Sequence, residues 1–429
     1  MTSFLLAQAK FFIVGIFALT YLFIVLLYHR KTIIVWAAVA LLLSLRLVSV
    51  REAWKAIEWN VLLLYFGMLF VSEVFLISRM PDYLATIVAG KAKTTGIAMV
   101  IICAFTGFLS IMLENVAVVL LVAPIALAIS QKADIHPVPL FIGMAVSSNL
   151  QGAATLIGDP PSMLLAGAAG FGFNDFFFYN WKPGIFFATE IGALVSTLVL
   201  FFLFRRYHKP MPVLQKEKYL SFIPALMVLA LIACLIVSSS FQHGFPYMTG
   251  LLCVVFGVLS FIWYLLDTRG RELKLFVSRL DWQTGIFLAG VFVLVESVSV
   301  AGLLDDLAAF ILRLSRGSPF AVYLLIVWFS VFLSAFIDNV PYLIAMLPVV
   351  HMLTPRLGVD PYLLYLGLLL GASVGGNITP IGASANIVAM GILRKQGRVV
   401  SFFQFVRIGL PFTVFAVIAS TLFAWLIFG

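Results

Sequence analysis

The chain carries one apolar stretch after another, and the length of those stretches restricts its fold more than any motif. Eight are unbroken: 10–28, 33–50, 59–79, 183–205, 220–239, 246–267, 283–301 and 407–428. About 20 apolar residues suffice to cross a bilayer as a helix. With 63% hydrophobic and 10% charged residues among 429, the chain lies far from the roughly half-apolar, quarter-charged soluble average. No polar stretch is long enough for a soluble domain, so 1–429 reads as a single transmembrane domain. The first stretch is long and lacks a clear small-residue cleavage site, so it reads as a span rather than a signal peptide.

Four further apolar segments are interrupted. Segment 96–130 breaks at Glu114-Asn115, and 138–170 at "TLIGDPPS". Segment 319–354 breaks at Asp338-Asn339-Val340-Pro341, and 361–393 at "GGNITPIGAS". Unwound backbone in hydrocarbon leaves N–H and C=O groups unpaired, at several kcal/mol each. It persists where it lines a cavity or binds something.

The interruptions come in pairs. A shift of 224 residues places Leu109-Ser110 on Leu333-Ser334, Glu114-Asn115-Val116 on Asp338-Asn339-Val340 and Pro124 on Pro348. It also places Gly152 on Gly376, Thr155 on Thr379 and Ile157-Gly158 on Ile381-Gly382. A shift of 223 aligns Glu58-Trp59 with Asp281-Trp282, Gly67 with Gly290 and Glu73 with Glu296. The sequence is therefore a duplication: repeat one at about 10–205, a basic cytoplasmic connector at 206–219, and repeat two at about 220–429.

The basic loops set an orientation. Placing "HRK" (29–31), "RMPDYLATIVAGKAKT", "RRYHKPMPVLQKEK", "DTRGRELKLFVSR" and "LRKQGR" in the cytoplasm requires 96–130 and 319–354 to be re-entrant hairpins. Each half then has five crossings and one hairpin, about 10 spans plus 2 hairpins in all. The halves are inverted relative to each other, and both termini lie outside. "RLSRGS" fits poorly, since it falls outside; the preceding "LLDDLAAFILRL" reads as an amphipathic surface helix. The expected class is an all-α polytopic protein of the inner (plasma) membrane.

Paired breaks in an inverted repeat are the pattern of a secondary transporter, with substrate and coupling ion between half-helix ends. The candidate coupling-ion or proton residues are Glu114, Asp159 and Asp338. The candidate substrate or ion ligands are Asn115, Asn149, Thr155, Gly158, Asn339, Asn377, Thr379, Gly382, Ser384 and Asn386. The breaks supply three acids and no Lys or Arg, a set suited to Na⁺ or H⁺. Asp159 has no acidic counterpart, since Ala383 takes its place. It reads either as a plain helix N-cap before Pro160-Pro161 or as a cap that also binds the ion.

Other features read as structural. Glu73 and Glu296 bond neighbouring helices or backbone, and Arg46 snorkels from a span end. Cys103, Cys234 and Cys253 lie in apolar segments without metal-ligand spacing. His136, His208 and His243 fall in loops. The Asn377-Ile378-Thr379 sequon lies inside the membrane, where it is not glycosylated. The net charge of +9 sits in short loops, so it gives no reason to expect nucleic acid. No P-loop, catalytic constellation or metal cluster emerges. The reading is a transporter and not an enzyme, with no cofactor beyond a transported Na⁺ or H⁺.

"LSIMLENVAVVLLVAPIALAI", "SSNLQGAATLIGDPPSMLLAG", "LSAFIDNVPYLIAMLPVV" and "LLLGASVGGNITPIGASANIVAMGI" resemble the arsenite-efflux and sodium/proton-antiporter permeases (ArsB/NhaD-type). The melanosomal P-protein-like carriers share these motifs, within the ion transporter superfamily. The resemblance covers about 59–205 and 282–428. It implies a homodimer, elevator-like movement, and sites at Glu114-Asn115, Thr155 to Asp159, Asp338-Asn339 and Thr379 to Asn386. The first hairpin departs from the family's frequent Asp-Asn by carrying Glu114. The leading function is proton- or sodium-coupled antiport exporting a small inorganic solute, arsenite or antimonite first, with an ATPase subunit as partner in that case. Plain Na⁺/H⁺ antiport and sodium-coupled dicarboxylate or citrate symport are the alternatives. The other partner is the lipid bilayer. A non-transporting membrane subunit would have no use for four paired breaks.

Overall fold

A computed structural model of the chain describes residues 2–27, 30–210, 219–240, 245, 247–268 and 273–429. Residues 211–218 of the expected connector, His29 and His243 lie outside the described residues. The described chain is helical throughout, apart from a short hairpin at Phe178–Tyr179 and Lys182–Pro183. Eight helices are long and apolar enough to cross a membrane.

The first half contains α1 (Thr2–Leu26), α2 (Lys31–Ser44), α3 (Val50–Ala56), α4 (Trp59–Ile77) and α5 (Met80–Ala89). Next come α6 (Thr95–Ser110) and α7 (Asn115–Lys132), then α8 (Val138–Gly152), α9 (Pro160–Ala169) and α10 (Ile185–Phe204). The second half repeats the order: α11 (Ile223–Ser239), α12 (Met248–Thr268), α13 (Leu273–Arg279), α14 (Trp282–Val300) and α15 (Leu303–Leu314). It continues with α16 (Pro319–Ser334), α17 (Asn339–Leu357), α18 (Pro361–Gly375), α19 (Ser384–Lys395) and α20 (Phe402–Phe428). All four interruptions appear as helix breaks: α6/α7, α8/α9, α16/α17 and α18/α19.

Local chemistry sets the boundaries. Thr94 and Ser318 each accept the N–H of the third helical residue at the starts of α6 and α16, satisfying a donor the helix cannot. Ser401 and Gln404 form a capping box, so α20 begins at Phe402, five residues before the apolar run suggests. Two stretches expected as basic loops are helices. In α5, Pro81 and Asp82 fill the first turn while Ala85 and Ala89 are buried. In α13, Phe276 is buried among aromatic rings, 4.5 Å from Tyr264. Hydrophobic anchors outweigh the charges that made both look like loops. The amphipathic α15 buries Leu304, Ala308 and Ile311 and exposes Asp305 and Asp306. It meets α16 at 118°, and the turn holds Arg316 and Gly317 at positive φ. Arg46 is exposed in a left-handed turn beyond α2.

The halves interlock. α12 lies along α4 and α2 lies along α14, so each half packs its second helix on the other's fourth. Glycines permit the approach: a Cβ on Gly67 would fall 2.2 Å from the Cys253 carbonyl carbon. A Cβ on its repeat partner Gly290 would fall 2.6 Å from Val35 Cγ1. Glu73 meets Arg279 at 3.6 Å, a bond to a neighbouring element. α6 packs on α8, α16 on α18, and α10 on α20. Ser420 Oγ donates to Ala188 O at 2.8 Å across the last pair.

The Gly67 contact predicts a folding defect. Gly67→Leu drives a side chain into the backbone of α12 and costs about 3 kcal/mol. Thermal unfolding in detergent checks this; Gly15→Leu, where no atom lies within 4 Å of the added Cβ, is the control with unchanged Tm.

Candidate functional site

The two hairpin turns are built alike. In the first, Ser110 Oγ donates to Asn115 Oδ1 at 2.8 Å, and Thr155 Oγ1 donates to the Ile111 carbonyl. In the second, Ser334 Oγ donates to Asn339 Oδ1 at 2.9 Å, and Thr379 Oγ1 donates to the Ala335 carbonyl. Each pair of residues lies 224 positions from its counterpart, the sequence shift of the repeat. Gly152 and Gly376 lie against these amides; an added Cβ would sit 2.2 Å from Asn115 Oδ1 and 2.9 Å from Asn339 Oδ1. Gly158 and Gly382 bring backbone against backbone, with added Cβ atoms 2.3 Å from Gly152 O and 2.5 Å from Gly376 O.

The two helix breaks are tied to each other. Asn149 Nδ2 donates to Asn377 Oδ1 at 2.8 Å and to Asn386 Oδ1 at 3.0 Å. Asn386 Nδ2 donates to the carbonyls of Gly376 and Thr379, both at 2.9 Å. Asn377 Nδ2 donates to Val146 O at 3.0 Å. Asn386 thus satisfies two carbonyls beyond the end of α18, and Asn149 and Asn377 tie that break to α8, so these buried polar groups are paired as burial requires.

In front of this network lies a cavity of about 60 Å³, room for a handful of waters at ~10–15 Å³ each. Of the expected site residues, Glu114, Asn115, Asn149, Asp159, Asp338, Asn339 and Ser384 line it. Thr155, Gly158, Asn377, Thr379, Gly382 and Asn386 do not. They sit behind it, holding the turns and breaks in place.

Each acid is also a helix cap. Glu114 Oε2 accepts from Ala117 N at 2.9 Å, ahead of α7. Asp338 Oδ1 accepts from Val340 N at 3.4 Å, ahead of α17. Asp159 Oδ1 accepts from Ser162 N at 3.2 Å and from Ser162 Oγ at 2.8 Å, ahead of α9. Asp159 Oδ2 is buried with no hydrogen-bond partner among the described residues. α19 begins after Ala383 with no side-chain cap, so the helix start alone does not require the acid.

The expectation of a base-free site is corrected. Lys31 also lines the cavity, and its Nζ lies 2.6 Å from Asp338 Oδ2. The same ammonium stands 4.7 Å over the Phe287 ring. Both side chains of the pair are buried, at 15% and 7% exposure. Sequence reading assigned Lys31 to a basic loop because it lies 307 residues from its partner. A fourth acid, Asp281, also lines the cavity while capping α14 through Thr284. Its alignment with Glu58 in the repeat was the available signal. Glu190, on α10, accepts from Gln151 Nε2 at 3.0 and 3.1 Å and lies outside this cavity.

The sequence profile of the citrate transporter family (CitMHS) matches residues 21–350 and 247–429. A 46 kDa membrane protein of Mycobacterium leprae is 28% identical over 431 residues, spanning 96% of this chain and 97% of the relative. An uncharacterized transporter of Mycobacterium tuberculosis is 30% identical over 381 residues, 86% of each chain. The human P protein is 27% identical over 486 residues, 93% of this chain and 57% of that protein. The YdaH transporter of Alcanivorax borkumensis shares the fold, with TM-score 0.58 over 88% of this chain and 86% of that one at 14% identity. MtrF of Neisseria gonorrhoeae gives 0.52 over 86% and 80%, also at 14% identity. Paired hairpins and breaks around a polar cavity, in a multi-pass helical chain with these relatives, identify a secondary transporter: the chain belongs to the citrate transporter family, within the ion transporter superfamily.

Proposed function

We propose that the cavity between the hairpin tips is the ion and solute site of a proton- or sodium-coupled antiporter that exports a small inorganic solute. The observation that carries this is the unpartnered, buried Oδ2 of Asp159, in a cavity shared with Glu114, Asp281 and Asp338. A desolvated carboxylate oxygen without a donor is satisfied by a cation or a proton. Arsenite and antimonite are the leading solutes. They are neutral trihydroxides near pH 7, which four carboxylates do not repel, and Asn115, Asn149 and Asn339 can hydrogen-bond their hydroxyls. The reading carries inverted halves at about 10–205 and 220–429, with hairpins α6/α7 and α16/α17 entering from opposite sides.

Two observations favour a second reading, sodium-coupled transport of citrate or a dicarboxylate. One is the family's own description. The other is Lys31, the cation that the site was not expected to contain. A polyanion would enter this cavity only with cations bound beside it. Proteoliposomes holding a pH-sensitive dye separate the two. Proton flux that appears on adding arsenite supports metalloid antiport, and flux on adding Na⁺ alone supports Na⁺/H⁺ exchange. Uptake of labelled citrate that requires Na⁺, without arsenite-driven flux, overturns the first reading.

Asp159→Asn is the sharpest variant, because Asn caps helices as well as Asp. Its Tm is expected within about 1 °C of wild type, a shift of under roughly 1 kcal/mol for a chain of this length. Coupled transport should fall about 100-fold, the loss of roughly 2.7 kcal/mol for one charged ligand. Wild-type flux in this variant removes Asp159 from the ion site.

A further inference from the structure

The duplication supplies an internal control for the Lys31–Asp338 pair. Glu114 and Asp338 are repeat partners, each capping the second helix of a hairpin. Only Asp338 carries an ammonium: among the described residues, none lies within ion-pair distance of Glu114 or Asp159. α12 takes the place in the second half that α2 takes in the first, and it has no charged residue before Asp267. The lysine is therefore a feature of one half, grafted onto a repeated frame.

Its position fits an internal occupant. α2 packs along α14, with Trp36 Nε1 donating to Ile286 O at 2.9 Å. Lys31 stands at the first turn of α2 and reaches the start of α17, which packs on α18 and also on α14. Asp338 divides its oxygens, one to its own helix and one to Lys31. Tyr21 Oη, on α1, adds a bond of 2.7 Å to Pro341 O at the same tip. The pair thus adds a tie between the start of α2 and the start of α17 through one carboxylate oxygen, beside the cavity that the candidate coupling-ion acids line.

We propose that Lys31 is a tethered cation that competes with the transported cation for Asp338. With Lys31 bound, the second hairpin is held to α2 and α14. A Na⁺ ion or a proton taken up by Asp338 releases the ammonium and frees the hairpin tip. Glu114 and Asp159, which have no such occupant, load first. The inference rests on the transport reading for its purpose, but the lock itself is a property of the resting protein. Charged and titratable groups facing the pair are Tyr21 on α1, Glu114 at the start of α7, Asp159 before α9 and Asp281 before α14.

Hydrogen–deuterium exchange of the full-length protein in detergent tests this without transport. Peptides covering 335–341 and 111–117 report the two hairpin tips, in NaCl against choline chloride and at pH 6 against pH 8, corrected for intrinsic exchange. In the wild type, Na⁺ or low pH should speed exchange at 335–341 and leave 111–117 unchanged. Lys31→Gln should speed 335–341 on the order of tenfold in choline chloride, as a released local unit does, and Na⁺ should then protect it. Lys31→Arg should restore wild-type protection. Lys31→Gln with Asp338→Asn, which removes both charges, should remain folded and lose every cation response at 335–341. Unchanged exchange at 335–341 in Lys31→Gln, or an equal rise at both tips, overturns the lock. A wild-type tip indifferent to both Na⁺ and pH overturns the competition. Absence of flux in proteoliposomes, with these exchange results intact, would instead remove the transport reading.

Discussion

The structure depends on how it satisfies backbone groups where helices stop inside an apolar interior. A helix end leaves four carbonyls without partners, and lipid offers none. Here the ends meet one another. Thr155 and Thr379 reach from the helix breaks to the hairpin turns. Asn386 takes the carbonyls of Gly376 and Thr379, and Asn149 and Asn377 join the two breaks. Each hairpin turn is thus fastened to the break of its own half, and each break to the other half. The four irregular segments exist as one polar body, and none of them would be tolerated alone.

That dependence explains what was legible in the sequence. Gly, Pro, Asn and acids stand out against apolar background, and their recurrence at 224 residues marks them as a repeated device. The four helix breaks could therefore be read directly. The layering of the site could not. Thr155 and Asn386 look as ligand-like in sequence as Asn149, but their donors are spent on carbonyls behind the cavity. Lys31 was illegible for a different reason. A cation in a short loop at a span end is what cytoplasmic topology predicts, and only tertiary packing brings it to a residue 307 positions away. Likewise α5 and α13 are short, and burial of their own Ala85, Ala89 and Phe276 against other elements decides that they are helices.

The duplication was complete enough to be read, yet the chain departs from it at the charges. Glu114 stands opposite Asp338, Asp159 opposite Ala383, and Lys31 opposite the uncharged start of α12. The hairpin amides Asn115 and Asn339, the threonines and the glycines are kept in register, whereas Asn149, Asn377 and Asn386 stand opposite Ser373, Ala153 and Ser162. Symmetry is retained in the turns and dropped both at the acids and across the amide network that joins the two breaks. A symmetric site would offer the same carboxylates at both tips, with no means of ordering which half responds to the ion first.

On the transport reading proposed above, the charge count of the cavity gives coupling a physical basis. Four carboxylates and one ammonium face a space of about 60 Å³. At an effective dielectric of about 20, two like charges 4 Å apart repel by roughly 4 kcal/mol. A full set of unneutralised carboxylates is incompatible with a closed, desolvated cavity. Protons or cations must enter before the walls come together, and their departure favours opening. A neutral solute accommodated by the amides adds nothing to this imbalance, whereas an anionic one deepens it and draws further cations in. On that reading closure and ion uptake are one event, for whichever solute the amides accept.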